Sequence, residues 1–124
     1  MAVVAATLWM APAGAAHESH FQEAPASSAQ MANPYQGSPQ AAAAGKKLYG
    51  QNCSSCHGAN LQGIGPAPPL DSPAVKSAKP GELFWFISTG KLTSGMPSWS
   101  NLPKNQRWQI VTFLQSTGTK SAAK

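Results

Sequence analysis

Residues 53–57 read Cys53-Ser54-Ser55-Cys56-His57, and no other stretch restricts the chain as tightly. They hold the only two cysteines among 124 residues and the only histidine beyond position 20. Cys-x-x-Cys-His is the attachment pattern of c-type haem. Its two thiols add across the two vinyl groups of the porphyrin, and two intervening residues let both sulfurs reach one edge of it. His57, directly after the second thioether, is then carried beneath the iron, where an imidazole nitrogen can bind. Two other chemistries use part of the same pattern. A bare Cys-x-x-Cys serves as a redox dithiol or as half of a zinc site, and the following histidine is then incidental. No second cysteine pair exists to complete a zinc site.

The length suits one small domain. With both cysteines inside the motif, no disulfide framework is left. A core of about 80 residues is marginal alone, and a covalently held cofactor would supply much of the missing apolar interior. Nine Lys and Arg oppose four Asp and Glu, a net +5 too diluted by Ala, Gly, Pro and Ser for a nucleic-acid surface. From Gly45 onward all nine bases face only Asp71 and Glu82, which suits an acidic protein partner.

Residues 1–16 carry an apolar stretch, Val3 to Ala11, followed by small residues ending Ala15-Ala16. This reads as a secretory signal, too short to span a bilayer. No Cys near the cleavage point offers a lipid anchor. No Lys or Arg precedes the apolar stretch, as follows if the start lies inside a longer signal. Export to the periplasm agrees with the thioether motif, since bacteria attach haem outside the cytoplasm. Residues 17–40, rich in Ala, Ser, Gln and Pro, are expected to be a flexible tether, with His17 and His20 solvated within it.

Residues 41–118 carry the helical pattern. Ser38-Pro39 supplies an N-cap and a first-turn proline for a helix to about Asn52. Ser72-Pro73 caps a short turn through Ala78, after a loop rich in Gly and Pro. Lys79-Pro80-Gly81 opens a helix from Glu82 to Thr89, stopped by Gly90. Its run Leu83-Phe84-Trp85-Phe86-Ile87 is apolar nearly all round and is expected to be buried. Leu102-Pro103 begins a last helix to about Thr117, with Ile110, Phe113, Leu114 and Thr117 on one stripe and Gly118 as its stop. Residues 119–124 are expected to be a disordered tail. Three to four short helices and no strand predict an all-α domain.

These residues resemble a class I cytochrome c from about Ala41 to Gln115. Gly45, Tyr49, Cys53, Cys56 and His57 match that family's Gly-x3-aromatic-x3-Cys-x2-Cys-His opening. The resemblance implies an all-α cytochrome c fold around one covalent haem c. It also implies that Gly45 lets the first and last helices cross closely, with Ile110 and Phe113 as its partners. Pro68-x-Leu70 is similar to the family's segment whose proline carbonyl accepts the proximal imidazole N–H, with Pro66 a rival. Gly95-Met96-Pro97 is similar to the distal-ligand loop, Met96 standing 39 residues after His57. Met96 is therefore implied as the sixth ligand, and Met31 is the other candidate after the signal. Trp99, close to Met96, either donates its indole N–H to a haem propionate or simply packs; Trp85 and Trp108 are expected in the core. Lys104-Asn105-Gln106-Arg107 departs from the pattern. Acidic residues usually stand there, and each cation should cost a few tenths of a kcal/mol against the helix dipole.

The implied function is a soluble periplasmic electron carrier, a monomer with no membrane span and no enzyme activity. Its partner would carry an acidic docking face, and the stretch from Leu83 to Lys91 is similar to small monohaem cytochromes that accompany periplasmic dehydrogenases. Lys46, Lys47 and Lys91 are expected to rim the haem edge, with Lys76 and Lys79 beyond them. A haem enzyme would need an open iron position and distal acid–base groups. A haem subunit bound within a larger oxidoreductase stays open as an alternative.

Overall fold

Proline pairs set three of the helix starts. In the computed structural model, which describes residues 23–117, α1 runs Pro39–Asn52, and the Ser38 hydroxyl accepts the Ala41 N–H at 3.1 Å. A one-turn helix α2 follows at Ser54–His57. Helix α3 spans Pro73–Ser77, its first turn held by Ser72, whose hydroxyl accepts the Val75 N–H. Helix α4 spans Pro80–Thr89, where the Glu82 carboxylate accepts the Lys79 N–H at 3.0 Å. That is half of a capping box, and it also places an acid at the positive end of the helix dipole. Gly90, at φ 72°, ends α4, and α5 runs Lys104–Ser116. Among the described residues no strand forms; two isolated bridges join Ile64 to Ala67 and Lys91 to Met96. The described residues are all-α, with five α-helices rather than three to four. The addition is α2, because residues 54–57 coil around the attachment motif itself.

The core forms where α5 lies between α1 and α4. Tyr49, Leu83, Phe84, Ile87, Trp108, Ile110, Val111 and Leu114 are buried together. Phe84 and Trp108 stack with ring centroids 4.1 Å apart. The α4 run is not buried all round. Leu83, Phe84 and Ile87 are, whereas Trp85 and Phe86 remain half-buried and meet edge to face. Trp108 is therefore a core residue and Trp85 a boundary one.

Helices α1 and α5 touch at Gly45. A Cβ there would run into the Gln109 carbonyl and come within 2.9 Å of the Phe113 Cβ. The expected partner Phe113 is present, and the nearest group of all is the Gln109 backbone. Ile110 points into the core, 1% exposed. One turn along α1, Tyr49 meets Phe113 at 5.5 Å between rings.

The part of the expected tether that is described, residues 23–38, packs as a strap. Ser28 is buried in a 3-10 turn (Ser28–Gln30), its carbonyl lying where a Cβ on Gly81 would go. Asn33 is buried and donates to the Thr112 hydroxyl at 2.9 Å, while Met31 and Tyr35 lie on the core. Short polar residues anchor this stretch by single contacts, so no apolar period announces it. The expected signal (1–16), His17, His20, Gly118 and the tail lie outside the described residues.

Candidate haem-binding site

The end of α1 delivers the attachment motif. Cys53 N–H donates to the Tyr49 carbonyl at 2.8 Å, closing α1, and the Cys53 carbonyl accepts from Cys56 and His57. Cys53, Cys56 and His57 thus stand at positions i, i+3 and i+4 of one turn, on a single face. Cys53 is partly buried, Cys56 exposed and His57 half-exposed. Burial pushes the Cys53 thiol up to about 11, with the Cys56 charge adding to it. A redox dithiol needs a thiol held low, so this environment argues against that chemistry. Among the described residues no group of three His, Cys, Asp or Glu side chains is placed to hold a metal ion by itself.

The loop from Gly58 to Leu70 orients the imidazole. His57 Nδ1 lies 3.0 Å from the Pro68 carbonyl, which can only accept. Nδ1 therefore holds the proton, and Nε2 keeps the lone pair for a metal. Of the two candidates, Pro66 and Pro68, this bond goes to Pro68. Several contacts brace that carbonyl. The His57 carbonyl accepts the Gly63 N–H at 2.7 Å, and the Leu61 carbonyl accepts the Leu70 N–H at 2.8 Å. Leu61 has φ 64°, a left-handed conformation costing roughly 1–3 kcal/mol in a branched residue. Its side chain, 6% exposed, holds it there from the core. Underneath, the Tyr49 hydroxyl donates to the Gly58 carbonyl at 2.6 Å. The hydroxyl is pushed up to about 12, chiefly by burial, then by the charges of Cys53 and Asp71.

Met96 stands half-buried on the second loop, between α4 and α5. Its N–H and carbonyl both bond to Lys91, at 3.0 and 2.9 Å. A Cβ on Gly90 would meet the Pro97 and Met96 carbonyls, so glycine is what lets this loop fold back on α4. Trp99 donates its backbone N–H to the Ile87 carbonyl at 2.9 Å, and its indole packs against the core cluster. Met31, the rival ligand, sits in the strap, its Cβ placed where a side chain on Gly81 would go.

The donor set fits haem c, with two thiols and an oriented imidazole on one turn. Large apolar side chains are left exposed on both loops: Ile64 at 52% after His57, and Leu92 at 77% before Met96. A shallow groove between the strap and α5, lined by Met31, Pro34, Tyr35, Lys104 and Trp108 among others, includes none of the site residues. Lys91 is not a free rim charge, because it pairs with Glu23 of the strap at 3.0 Å. Arg107, named in the sequence only as a cation where the first turn of α5 disfavours one, bonds to Leu102 before the helix and to Ser88 on α4.

Comparison with known proteins places these features. The family model of cytochrome c oxidase, cbb3-type, subunit III matches residues 40–114. The chain is also similar to the cytochrome bc1 complex cytochrome c subunits of Mycobacterium tuberculosis (strain H37Rv) and Mycobacterium bovis. Identity to each is 38% over 48 residues, covering 39% of this chain and 16% of the relative. The Mycobacterium leprae subunit matches at the same identity over 15% of its length. The match thus spans about a sixth of these relatives. Residues 40–114 contain α1 to α5 except Pro39 and the last two residues of α5, together with both loops. The chain belongs to the cytochrome c oxidase, cbb3-type, subunit III family of c-type cytochromes, which transfer electrons through haem c.

Proposed function

We propose that the chain is an exported, soluble carrier of single electrons, a monomer with one haem c bound through Cys53 and Cys56. His57 would be one axial ligand and Met96 the other. When bound, haem c supplies an iron that gains or loses one electron. The residues supply the rest. Two thioethers tie the cofactor to a turn continuous with α1. The Pro68 carbonyl holds the His57 proton on Nδ1, which keeps Nε2 available and raises its donor strength. A thioether from Met96 would favour the reduced form of the group and would raise its potential above that of a bis-histidine site. With His57 and Met96 both holding the group, no position would be left open to a substrate, so the reading is a carrier, not an enzyme. Trp99 remains a candidate for a propionate contact. Lys46 and Lys47, exposed on α1 ahead of the motif, suit a partner with an acidic face, such as a periplasmic dehydrogenase.

The observation that carries this reading is the His57–Pro68 contact beside two cysteines on one face of a turn. Acid–acetone extraction should leave the pigment on the protein. The ferric protein should show the weak far-red band of sulfur-to-iron charge transfer, and Met96→Ala should lose it and bind added cyanide readily. Release of free haem would refute the attachment, and loss of the band in Met31→Ala instead would refute the ligand. The relatives are cytochrome c subunits of the cytochrome bc1 complex, which favours a second reading: a haem subunit held in a larger oxidoreductase. Co-purification with partner subunits at high salt separates the two.

A further inference from the structure

Residues 92–98 have almost no hold on the core by themselves. All but Met96 are exposed, and Leu92 points into solvent. Their C-terminal side is held by backbone groups at the end of α4. The Ile87 carbonyl accepts the Trp99 N–H, and the Ser88 carbonyl accepts the Ser98 hydroxyl at 2.6 Å. These are last-turn carbonyls with no partner inside the helix, so the loop caps α4 while α4 holds the loop. Arg107 joins this arrangement from α5. Its guanidinium lies 4.9 Å from the centre of the Phe84 ring. Nη1 donates to the Ser88 hydroxyl at 2.5 Å, and Nε donates to the Leu102 carbonyl at 3.1 Å. The Ser88 hydroxyl donates in turn to Phe84, and Leu102 N–H donates to the Trp99 carbonyl. One side chain therefore connects α4, α5 and the C-terminal arm of the Met96 loop. A forked donor over an aromatic face is arginine chemistry, which lysine's single ammonium does not reproduce.

We propose that Arg107 is a positioning residue for the Met96 loop, fixing the station from which Met96 meets the iron; this rests on the ligand reading above. A cation at a helix N-terminus is disfavoured by the dipole, and its inward bonds to Ser88 and Leu102 account for its place there. Without it the arm from Ser98 to Leu102 loosens, and the thioether yields more easily to other ligands.

The test uses the holoprotein and imidazole as the competing ligand. Arg107→Met, which keeps bulk and removes the donors, should raise imidazole affinity by about tenfold, the worth of one charge-assisted network. It should also speed amide hydrogen exchange at Trp99 and Leu102. Ser88→Ala, a milder change should Arg107→Met fold poorly, should shift both readouts the same way. Arg107→Lys should restore little. Asn33→Ala, which weakens α5 from its opposite contact, should lower global stability and leave imidazole affinity unchanged. If the Arg107→Met and Ser88→Ala proteins bind imidazole like the parent and lose only unfolding midpoint, Arg107 is structural and the proposal is overturned. If Met96→Ala itself leaves imidazole binding unchanged, the ligand reading has failed, and the positioning role falls with it.

Discussion

Replacing Gly45 by alanine adds one methyl group where α1 lies closest to α5, and the same change at Gly50 adds it to open solvent on the same helix. Helix propensity treats both alike: alanine gains about 1 kcal/mol over glycine in a helix interior. At Gly50 nothing lies within 4 Å of the new Cβ, so that gain should appear in full. At Gly45 the new atom meets the Gln109 carbonyl and the Phe113 Cβ. Both obstacles are fixed by the α5 backbone and no rotamer change can clear them. Overpacking costs about 1–3 kcal/mol and stands at the upper end when a backbone must move. Net destabilisation at Gly45 is therefore about 2 kcal/mol, and the two variants should differ by about 3 kcal/mol. In a domain of this size 1 kcal/mol moves the midpoint by about 4–8 °C, so Gly45→Ala should melt roughly 8–16 °C lower and Gly50→Ala roughly 4–8 °C higher. Thermal unfolding of the holoprotein, followed by far-ultraviolet circular dichroism, reads both. If the two variants were stabilised alike, α1 and α5 would not be in contact at Gly45.

Tyr49→Phe should cost about 1–3 kcal/mol, because the buried Gly58 carbonyl loses its donor. Folding raises the Tyr49 hydroxyl from 10.0 to about 12, so the neutral phenol's contribution is complete below pH 10 and is lost as pH climbs toward 12. An alkaline unfolding curve should show that loss in the parent and not in the variant. Asn33→Ala should cost about 1–2 kcal/mol in denaturant unfolding, and Gly81→Ala should expose residues 23–38 to faster limited proteolysis. A freely moving tether would leave both measurements unchanged. Electron transfer to the native partner should slow steeply with salt, as screening shortens to about 8 Å at physiological ionic strength, and Lys47→Glu should flatten that dependence. A rate already flat in the parent would mean that docking is apolar.

What the sequence by itself determined is whatever is settled within about one helical turn. Cys53, Cys56 and His57 share a face because a single turn puts them there. The pairs Ser38-Pro39, Ser72-Pro73 and Lys79-Pro80 start helices, and Gly90 stops one, through bonds to residues three or four away. Helix periodicity then selects an all-α fold without reference to distant contacts. The tertiary structure decided the matters that depend on which groups meet across the chain. The resemblance favoured Pro68 but left Pro66 as a rival, and the bracing of the loop by Gly63 and Leu61 is what aims the Pro68 carbonyl at His57. Lys91 looked like a free surface charge until the fold brought Glu23 beside it. Asn33 finds Thr112 across 79 positions of chain, so a stretch with the composition of a linker becomes a strap. Gly45 announces a close approach, but only the packing of the two helices brings the Gln109 carbonyl directly beneath it. Arg107 breaks the local rule for a helix start, and only packed tertiary contacts, made by groups 5 and 19 residues away, offset that cost.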